Sequence, residues 1–146
     1  MIIHSASDPA SVLVHRETQS SLPPEWESKT VIKDGIWKAA SHSSEIRIHP
    51  NGRFLYIGNR GHDSIAVFRV LEDGLLERVG LIPSGGNTPR NFNFDHSGKW
   101  LVVGNQNSNN LSTFRICDET GLLTLVSKVE CPSPNYVFNY GCIAVD

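Results

Sequence analysis

An internal repeat constrains the fold of this chain more than any other feature of its sequence. Residues 46–60 align with residues 92–106 without a gap, so that Asn59 recurs as Asn105, 46 residues later. The same offset relates three further pairs, namely Gly52 with Gly98, Gly58 with Gly104, and Phe68 with Phe114. Such a repeat indicates an array of similar supersecondary units rather than one irregular domain.

Each repeat is predicted to form four short strands. They are expected at 45–49, 54–58, 64–70 and 75–83 in the first repeat, and at 91–95, 100–104, 110–117 and 122–131 in the second. Between the first two strands, Asn51 and Gly52 are expected to supply the left-handed backbone positions of a tight turn. The second strand is an apolar run with no polar face, which suits a sheet that is packed on both sides.

Four antiparallel strands that recur at a period of about 45 residues are typical of a β-propeller blade. A β-sandwich is the alternative all-β arrangement, but it does not require successive groups of four strands to repeat. We therefore predict an all-β propeller, with complete blades at 43–88 and 89–134. Residues 1–42 are expected to be the tail of a preceding blade and its connection, with strands at 11–15 and 18–22. Residues 135–146 are expected to be the start of a further blade, with its inner strand at 135–140.

This organisation amounts to about three blades, whereas a closed propeller typically has about four to eight. Terminal blades of such an array leave an apolar face uncovered, which repeat proteins usually avoid with capping units. The chain is therefore expected to be an incomplete part of a propeller. Self-association through the uncovered blade faces is the expected consequence.

Composition narrows the classes of partner. Hydrophobic residues make up 39% and charged residues 19% of the chain, which is typical of a globular protein, and the formal net charge of −2 with no basic stripe argues against nucleic acid. The longest apolar runs are far too short to cross a membrane. The three cysteines have no metal-ligand spacing. We expect reduced thiols, a cytoplasmic location, and neither a metal nor another cofactor.

Four strings carry a family resemblance: Ser44–Tyr56, Asn59–Ile65, Thr88–Phe92 and Asn105–Gln106. They resemble the seven-bladed propeller lactonases, a family that includes 6-phosphogluconolactonases of the bacterial type and fungal carboxymuconate-lactonizing enzymes. The resemblance covers about residues 43–137 and implies that the chain is the C-terminal portion of a seven-bladed propeller. It also implies hydrolysis of a phosphorylated sugar lactone, similar to 6-phosphogluconolactone, in the pentose phosphate pathway. Two alternatives stay open: a lactonizing cycloisomerase on the same scaffold, and a non-enzymatic fragment or interaction module.

Blade geometry predicts where chemistry would lie, because the connections between blades and the loops after each second strand share one rim of the disc. On that rim the sequence places seven polar residues: Glu45, Arg60, His62, Asp63, Arg90, Asn105 and Gln106. Arginine suits an anionic substrate or a developing oxyanion, and the resemblance supports Arg60 most strongly. His62 is a candidate base for the attacking water, and Glu45 is a candidate base or a partner that orients an arginine.

The remaining rim residues are predicted to bind the substrate: Arg90, Asn105 and Gln106. Several of these residues can also have purely structural roles. Arg60 and Asp63 can pair across the turn with little energy, and His62 can be a loop histidine that bonds to backbone. Asn105, which repeats Asn59, can satisfy loop backbone instead of contacting substrate.

Overall fold

Two four-stranded antiparallel sheets stack face to face and make up most of the structure. The computed structural model describes residues 2–5, 12–15 and 42–139, and it contains no helix within these ranges. Near the N-terminus, β1 (Ile2–Ser5) pairs with β2 (Val12–His15). The first sheet has the order β3 (His42–Ile48), β4 (Phe54–Arg60), β5 (Ser64–Val70) and β6 (Leu76–Pro83). The second has the order β7 (Pro89–Phe94), β8 (Trp100–Asn105), β9 (Asn110–Ile116) and β10 (Leu123–Glu130).

The strands of each sheet follow one another in sequence, as they do in a propeller blade, and the predicted all-β propeller architecture is confirmed. The strand predicted at 11–15 corresponds to β2, which pairs with a strand upstream of it. The strand predicted at 18–22 lies outside the described residues.

The turn between β3 and β4 differs from the prediction in one detail. Gly52 has a φ of 73° and its counterpart Gly98 a φ of 70°, but Asn51 is not in the left-handed region. Its side-chain oxygen instead accepts a hydrogen bond from the backbone N–H of Arg53 at 2.9 Å. Only the residue without a Cβ takes the left-handed position here, while asparagine closes the turn with its side chain.

Strand β4 is buried on both faces, as its apolar run predicted. Phe54 and Tyr56 belong to the cluster between the two sheets, whereas Leu55 and Ile57 belong to a second cluster on the opposite face. All four side chains are at most 2% exposed. Because each such side chain contributes about 1.5–3 kcal/mol on burial, β4 is a main source of the stability of the first sheet.

Tyr56 joins the two sheets through both its ring and its hydroxyl group. The ring meets that of Phe94 edge to face at a centroid distance of 5.3 Å. The hydroxyl donates a hydrogen bond to the carbonyl oxygen of Gly121 at 2.6 Å. Burial, with smaller contributions from the neighbouring Cys117 and Asp118, raises the pKa of Tyr56 well above its usual value. The hydroxyl is therefore held in its neutral, donating form.

His49 forms a second link between the blades and has a structural role. Its Nε2 lies 2.7 Å from the carbonyl oxygen of Gly98, and its Nδ1 accepts a bond from the N–H of Asn51 at 3.2 Å. These bonds fit the neutral ring with its proton on Nε2. The turn of one blade is thereby tied to the turn of the next.

Asp95 occupies the position in the second repeat that His49 occupies in the first. Its carboxylate accepts bonds from the N–H groups of Ser97 at 3.0 Å and Trp100 at 2.9 Å. Burial acts to raise the pKa of Asp95, but hydrogen bonds from Ser97, Trp100 and Lys99 outweigh it and hold the pKa below its usual value. The ionised carboxylate thus closes the β7–β8 turn.

The strand predicted over 135–140 is not formed within the described residues 134–139. This segment nevertheless lies beside β7, where Val137 N donates to Asn91 Oδ1 at 2.8 Å and Asn139 Nδ2 donates to the carbonyl oxygen of Phe94 at 3.1 Å. These are bonds between side chains and backbone, not a ladder. Neighbouring blades contact each other through their faces and not through backbone ladders. The innermost segment of a blade therefore forms a strand only when it pairs with the second strand of its own blade.

Candidate functional site

Three loops meet at one edge of the two sheets, and we call residues 61–63, 84–88 and 106–109 the loop rim. The N–H of Ser84 donates to the carbonyl oxygen of Asp63 at 2.9 Å, which ties the connection between blades to the β4–β5 loop. The N–H of Gln106 donates to the carbonyl oxygen of Thr88 at 2.9 Å, which ties the same connection to the β8–β9 loop. Backbone bonds therefore hold the three loops together.

Asp63 organises the loop rim from a left-handed position, with a φ of 55°. Its Oδ1 accepts bonds from the N–H groups of Thr88 at 2.7 Å and Gly61 at 3.3 Å, and its Oδ2 accepts one from Asn87 Nδ2 at 3.0 Å. Both carboxylate oxygens are thus occupied within the loop rim. Among the described residues the alternative ion pair between Asp63 and Arg60 is not formed.

Arg60 ends β4 and lies opposite His42 in the register with β3. The side chain is half-buried, and its Nη2 donates to the carbonyl oxygen of Ser43 at 3.4 Å. Its Nε is buried and has no hydrogen-bond partner among the residues that the structure describes. A buried guanidinium donor without an acceptor is costly to leave unsatisfied, so this group has unused capacity for an anion.

His62 is exposed on the loop rim, and its Nδ1 lies 2.9 Å from the hydroxyl oxygen of Ser64. Ser64 is buried and also accepts a bond from Asn59 Nδ2 at 3.2 Å. If the ring proton of His62 is on Nδ1 and is donated to Ser64, Nε2 is left free to accept a proton. His62 therefore bonds to a side chain and not to backbone, and one of its tautomers suits a base.

Glu45 lies in the middle of β3, within the irregularity where the register with β4 shifts between Ser43 and Ile46. Its Oε1 lies 3.5 Å from Arg47 Nε, and its Oε2 accepts a bond from Asn91 Nδ2 on the neighbouring blade. The side chain is 23% exposed. Both carboxylate oxygens therefore have donors beside them, while part of the group stays open to solvent.

The three predicted substrate-binding residues differ in their access to solvent. Arg90 is exposed within a bulge at the start of β7, and Gln106 is half-buried on the loop rim. Asn105 is fully buried, and its Nδ2 donates at 3.1 Å both to the carbonyl oxygen of Ser84 and to the hydroxyl oxygen of Ser112. Its position matches the alternative interpretation in which it satisfies groups within the fold. Its contact with a substrate stays a prediction.

The structure thus brings most of the predicted residues to the same end of the two sheets. Strands β3 and β7 begin at this end and β4 ends there, which places Arg90 and Arg60 at one edge, whereas Glu45 lies three residues farther into β3. His62 follows Arg60 in the adjoining loop. Their roles in catalysis or binding stay predictions, because proximity at one edge does not establish them.

Sequence reasoning missed two residues that support this edge. Ser44 Oγ donates to the carbonyl oxygen of Pro89 at 2.5 Å, which joins the inner strands of the two blades. Asn91 bonds to Glu45, and it is also the residue 46 positions after Glu45. The repeat offset alone could have identified Asn91, because it places an amide in the second blade where the first blade has the carboxylate.

The described residues contain neither a candidate metal site nor a candidate membrane-spanning helix. No group of three or more His, Cys, Asp or Glu side chains in this part of the chain is arranged to hold a metal ion. Nor does it include a helix that is long and apolar enough to span a bilayer.

Comparison with known proteins identifies relatives over most of the chain. Residues 6–139 match the family described as lactonase, seven-bladed β-propeller. An uncharacterized protein of Staphylococcus aureus (strain USA300) is 48% identical over 65 residues, which is 44% of this chain and 18% of that protein. An uncharacterized protein of the N315 strain matches with the same identity and coverage.

Solved structures show the same fold. A Bacteroides uniformis protein, provisionally assigned as a 6-phosphogluconolactonase, superposes with a TM-score of 0.62 and 36% identity over 64% of this chain and 28% of its own. The periplasmic gluconolactonase of Pseudomonas aeruginosa superposes with a TM-score of 0.65 and 29% identity over 73% of this chain and 30% of its own. The chain therefore spans less than a third of the length of these relatives.

Proposed function

We propose that this chain, which belongs to the seven-bladed β-propeller lactonase family, contributes part of the active site of a lactonase that hydrolyses a phosphorylated sugar lactone. The scaffold is that of the lactonase propellers, and one structural neighbour is provisionally assigned as a 6-phosphogluconolactonase. The substrate and the activity itself are our proposal.

The observation that carries the proposal is the guanidinium group of Arg60. It is half-buried, its Nη2 makes a long bond to the carbonyl oxygen of Ser43, and its Nε has no acceptor within the described part of the chain. Guanidinium binds phosphate and carboxylate with two parallel hydrogen bonds, and these bonds strengthen where water is partly excluded. Arg60 is therefore suited to the anionic group of the substrate or to the oxyanion that forms during acyl transfer.

The reaction needs a water molecule to attack the lactone carbonyl carbon. The bond between that carbon and the ring oxygen then breaks, the ring oxygen takes up a proton, and a hydroxy acid is released. His62 Nε2, or the carboxylate of Glu45, is suited to accept the proton of the attacking water. Arg90, exposed at the start of β7, is suited to a second contact with the anion.

The test is hydrolysis of 6-phosphogluconolactone above its spontaneous rate by the protein, purified in the longest form that its source produces. Arg60→Ala is expected to lower kcat/KM by about 100-fold, since one lost charge-assisted contact costs roughly 2.7 kcal/mol or more in such a site. Arg69→Ala is the matched control, because Arg69 is exposed and lies at the opposite end of the first sheet. Absence of hydrolysis in the wild type, or equal rates in both variants, would show that the proposal is wrong.

The lactonizing cycloisomerase alternative uses the same scaffold for a different reaction, in which a carboxylate oxygen adds to a carbon–carbon double bond, a proton adds to the other carbon, and no water is consumed. A substrate panel separates the two, because a cycloisomerase forms a lactone from an unsaturated dicarboxylic acid whereas a lactonase opens the ring. We propose a cytoplasmic location as well, although one structural neighbour is periplasmic. Cell fractionation with a compartment marker tests this location.

A second candidate function is self-association through the open face of the second blade. Val126 and Val129 lie 47 residues after Val79 and Ile82, the offset that also relates Gly74 to Gly121. Val79 and Ile82 pack against the core between the blades, whereas Val126 is 56% and Val129 60% exposed. Analytical ultracentrifugation tests this proposal: Val129→Lys is expected to lower the association constant, and a wild type that is monomeric at every concentration would contradict it.

A further inference from the structure

We propose that Asn91 is a positioning residue that holds the carboxylate of Glu45 in one orientation, as a hydrogen-bond acceptor at the boundary between the two blades. This inference rests on the proposed function, because it assigns to Asn91 a task in the same reaction. It goes beyond that proposal by naming a residue of the second blade on which the chemistry of the first blade depends.

The contact between the two residues crosses the boundary between the blades. Asn91 is 5% exposed and lies just after the bulge that begins β7. Its Nδ2 donates to Oε2 of Glu45, whose side chain is 23% exposed. A hydrogen bond to an ionised acceptor in a partly buried position is among the stronger kinds in proteins.

The orientation of the Asn91 amide is determined by its other partner. Its Oδ1 accepts a bond from the N–H of Val137 at 2.8 Å. Rotation of the amide by half a turn would place Nδ2 against that N–H and Oδ1 against the Glu45 carboxylate, which would create two repulsive contacts in place of two bonds. The backbone of the segment beside β7 therefore decides that Asn91 presents a donor to Glu45.

Arg47 supports the same carboxylate from its own strand. Its Nε donates to the carbonyl oxygen of Phe92 at 2.9 Å and lies 3.5 Å from Oε1 of Glu45. Each carboxylate oxygen of Glu45 thus has one donor beside it, one from each blade. This arrangement fixes the position of the carboxylate, from which Glu45 is suited to contact the attacking water or to orient a cationic group.

The kinetic test uses Asn91→Asp, which has nearly the same shape. This variant keeps an oxygen that can accept from Val137 but turns an oxygen in place of the donor toward Glu45. We expect kcat for lactone hydrolysis at neutral pH to fall by about 10- to 100-fold, as for a misplaced catalytic group, with KM changed by less than about threefold. At lower pH, part of the lost activity should return, because two facing carboxyl groups can share one proton.

Asn93 supplies the matched control on the same strand. Its Nδ2 donates to the carbonyl oxygen of Val137 at 3.3 Å, so it also links β7 to the following segment, but no bond joins it to Glu45. Asn93→Asp is expected to leave kcat within about twofold of the wild type and to leave the shape of the pH profile unchanged. A purely structural role for Asn91 would make the two variants behave alike.

A variant without an added charge covers the case in which Asn91→Asp does not fold, as judged by its thermal unfolding transition. Asn91→Ser removes the donor, and we expect the same loss of kcat without recovery at low pH. Unchanged kcat and an unchanged pH profile in a folded Asn91 variant would overturn the inference. If the wild type hydrolyses no lactone, the proposed function fails and the inference fails with it, and the wild-type measurement alone distinguishes that outcome.

Discussion

Removal of one hydroxyl group tests how strongly the two blades are joined. Tyr56→Phe deletes the buried bond to the carbonyl oxygen of Gly121, which is 2.6 Å long, and it leaves the ring in its edge-to-face contact with Phe94. A typical hydrogen bond contributes about 1 kcal/mol net, and a buried acceptor left unsatisfied costs about 1–3 kcal/mol. Since Tyr56 is 0% exposed, water cannot easily donate to the carbonyl oxygen of Gly121 in place of the lost hydroxyl group. We therefore expect a loss of about 2 kcal/mol in the free energy of unfolding.

Urea unfolding followed by tryptophan fluorescence measures this loss. The expected result is a lower midpoint with an unchanged m-value, which indicates lost stability without a change in the surface exposed on unfolding. Tyr136→Phe is the control, because Tyr136 is 64% exposed and keeps its stacked contact with Phe138 in the variant. If the two substitutions change the free energy of unfolding equally, the hydroxyl of Tyr56 does not join the blades and the reasoning is refuted.

The same residue makes a prediction about alkaline pH. Burial raises the pKa of Tyr56 above its usual value, so the stability contributed by the neutral group is fully present below about pH 10, the value in an unfolded chain. It is lost as the pH rises from there toward the folded-state value. The wild type should therefore lose more stability above pH 10 than Tyr56→Phe does, and parallel curves would contradict this account.

Two further substitutions test the turns. Partial burial acts to raise the pKa of Asp95, yet hydrogen bonds within the β7–β8 turn hold the pKa below its usual value. The stability that the ionised carboxylate contributes is therefore present above about pH 4 and is lost as the pH falls through the folded-state pKa. In urea titrations, the free energy of unfolding of Asp95→Asn should fall less steeply at acid pH than that of the wild type. An equal fall in both proteins would contradict this account of the turn. Gly121→Ala places a Cβ 2.5 Å from the ring of Phe54 at a φ of 72°, and we expect a loss of about 2–4 kcal/mol in thermal unfolding. Its counterpart Gly74→Ala has a similar φ of 81° but no atom within 4 Å, so it should lose only the backbone part, about 1–2 kcal/mol; equal losses would show that the contact with Phe54 is unimportant.

Much of the fold could be predicted from local signals. Strand β5 was predicted with its observed bounds, Ser64–Val70, and most other strands differ from prediction by one to three residues at an end. The apolar run of β4 correctly indicated packing on both faces. The left-handed position at Asn51 was wrong, because its side chain closes the turn instead. The strand at 135–140 was also wrong within the described residues, since strand formation needs a ladder partner that pattern alone does not supply.

The candidate site, like the fold, could be predicted from the sequence only in part. Shared rim loops follow from the order of strands, so the sequence could place Glu45 and Arg60 at one end. It could not show that Asp63 bonds to Asn87 and Thr88, 24 and 25 residues away, and not to the nearby Arg60, because rotamers and the packing of the loops decide between these partners. Nor could it show that Asn105 is fully buried.

The sequence by itself determined that the chain is built from repeated four-stranded blades, because a period of 46 residues, alternating strands and turn glycines are properties of local order. Only the tertiary structure decided which side chains the blades exchange. Asn91 reaches Glu45 and Tyr56 reaches Gly121 across a boundary between units, and such contacts depend on how the faces stack. The repeat predicts equivalent positions, whereas stacking determines which unlike residues meet there.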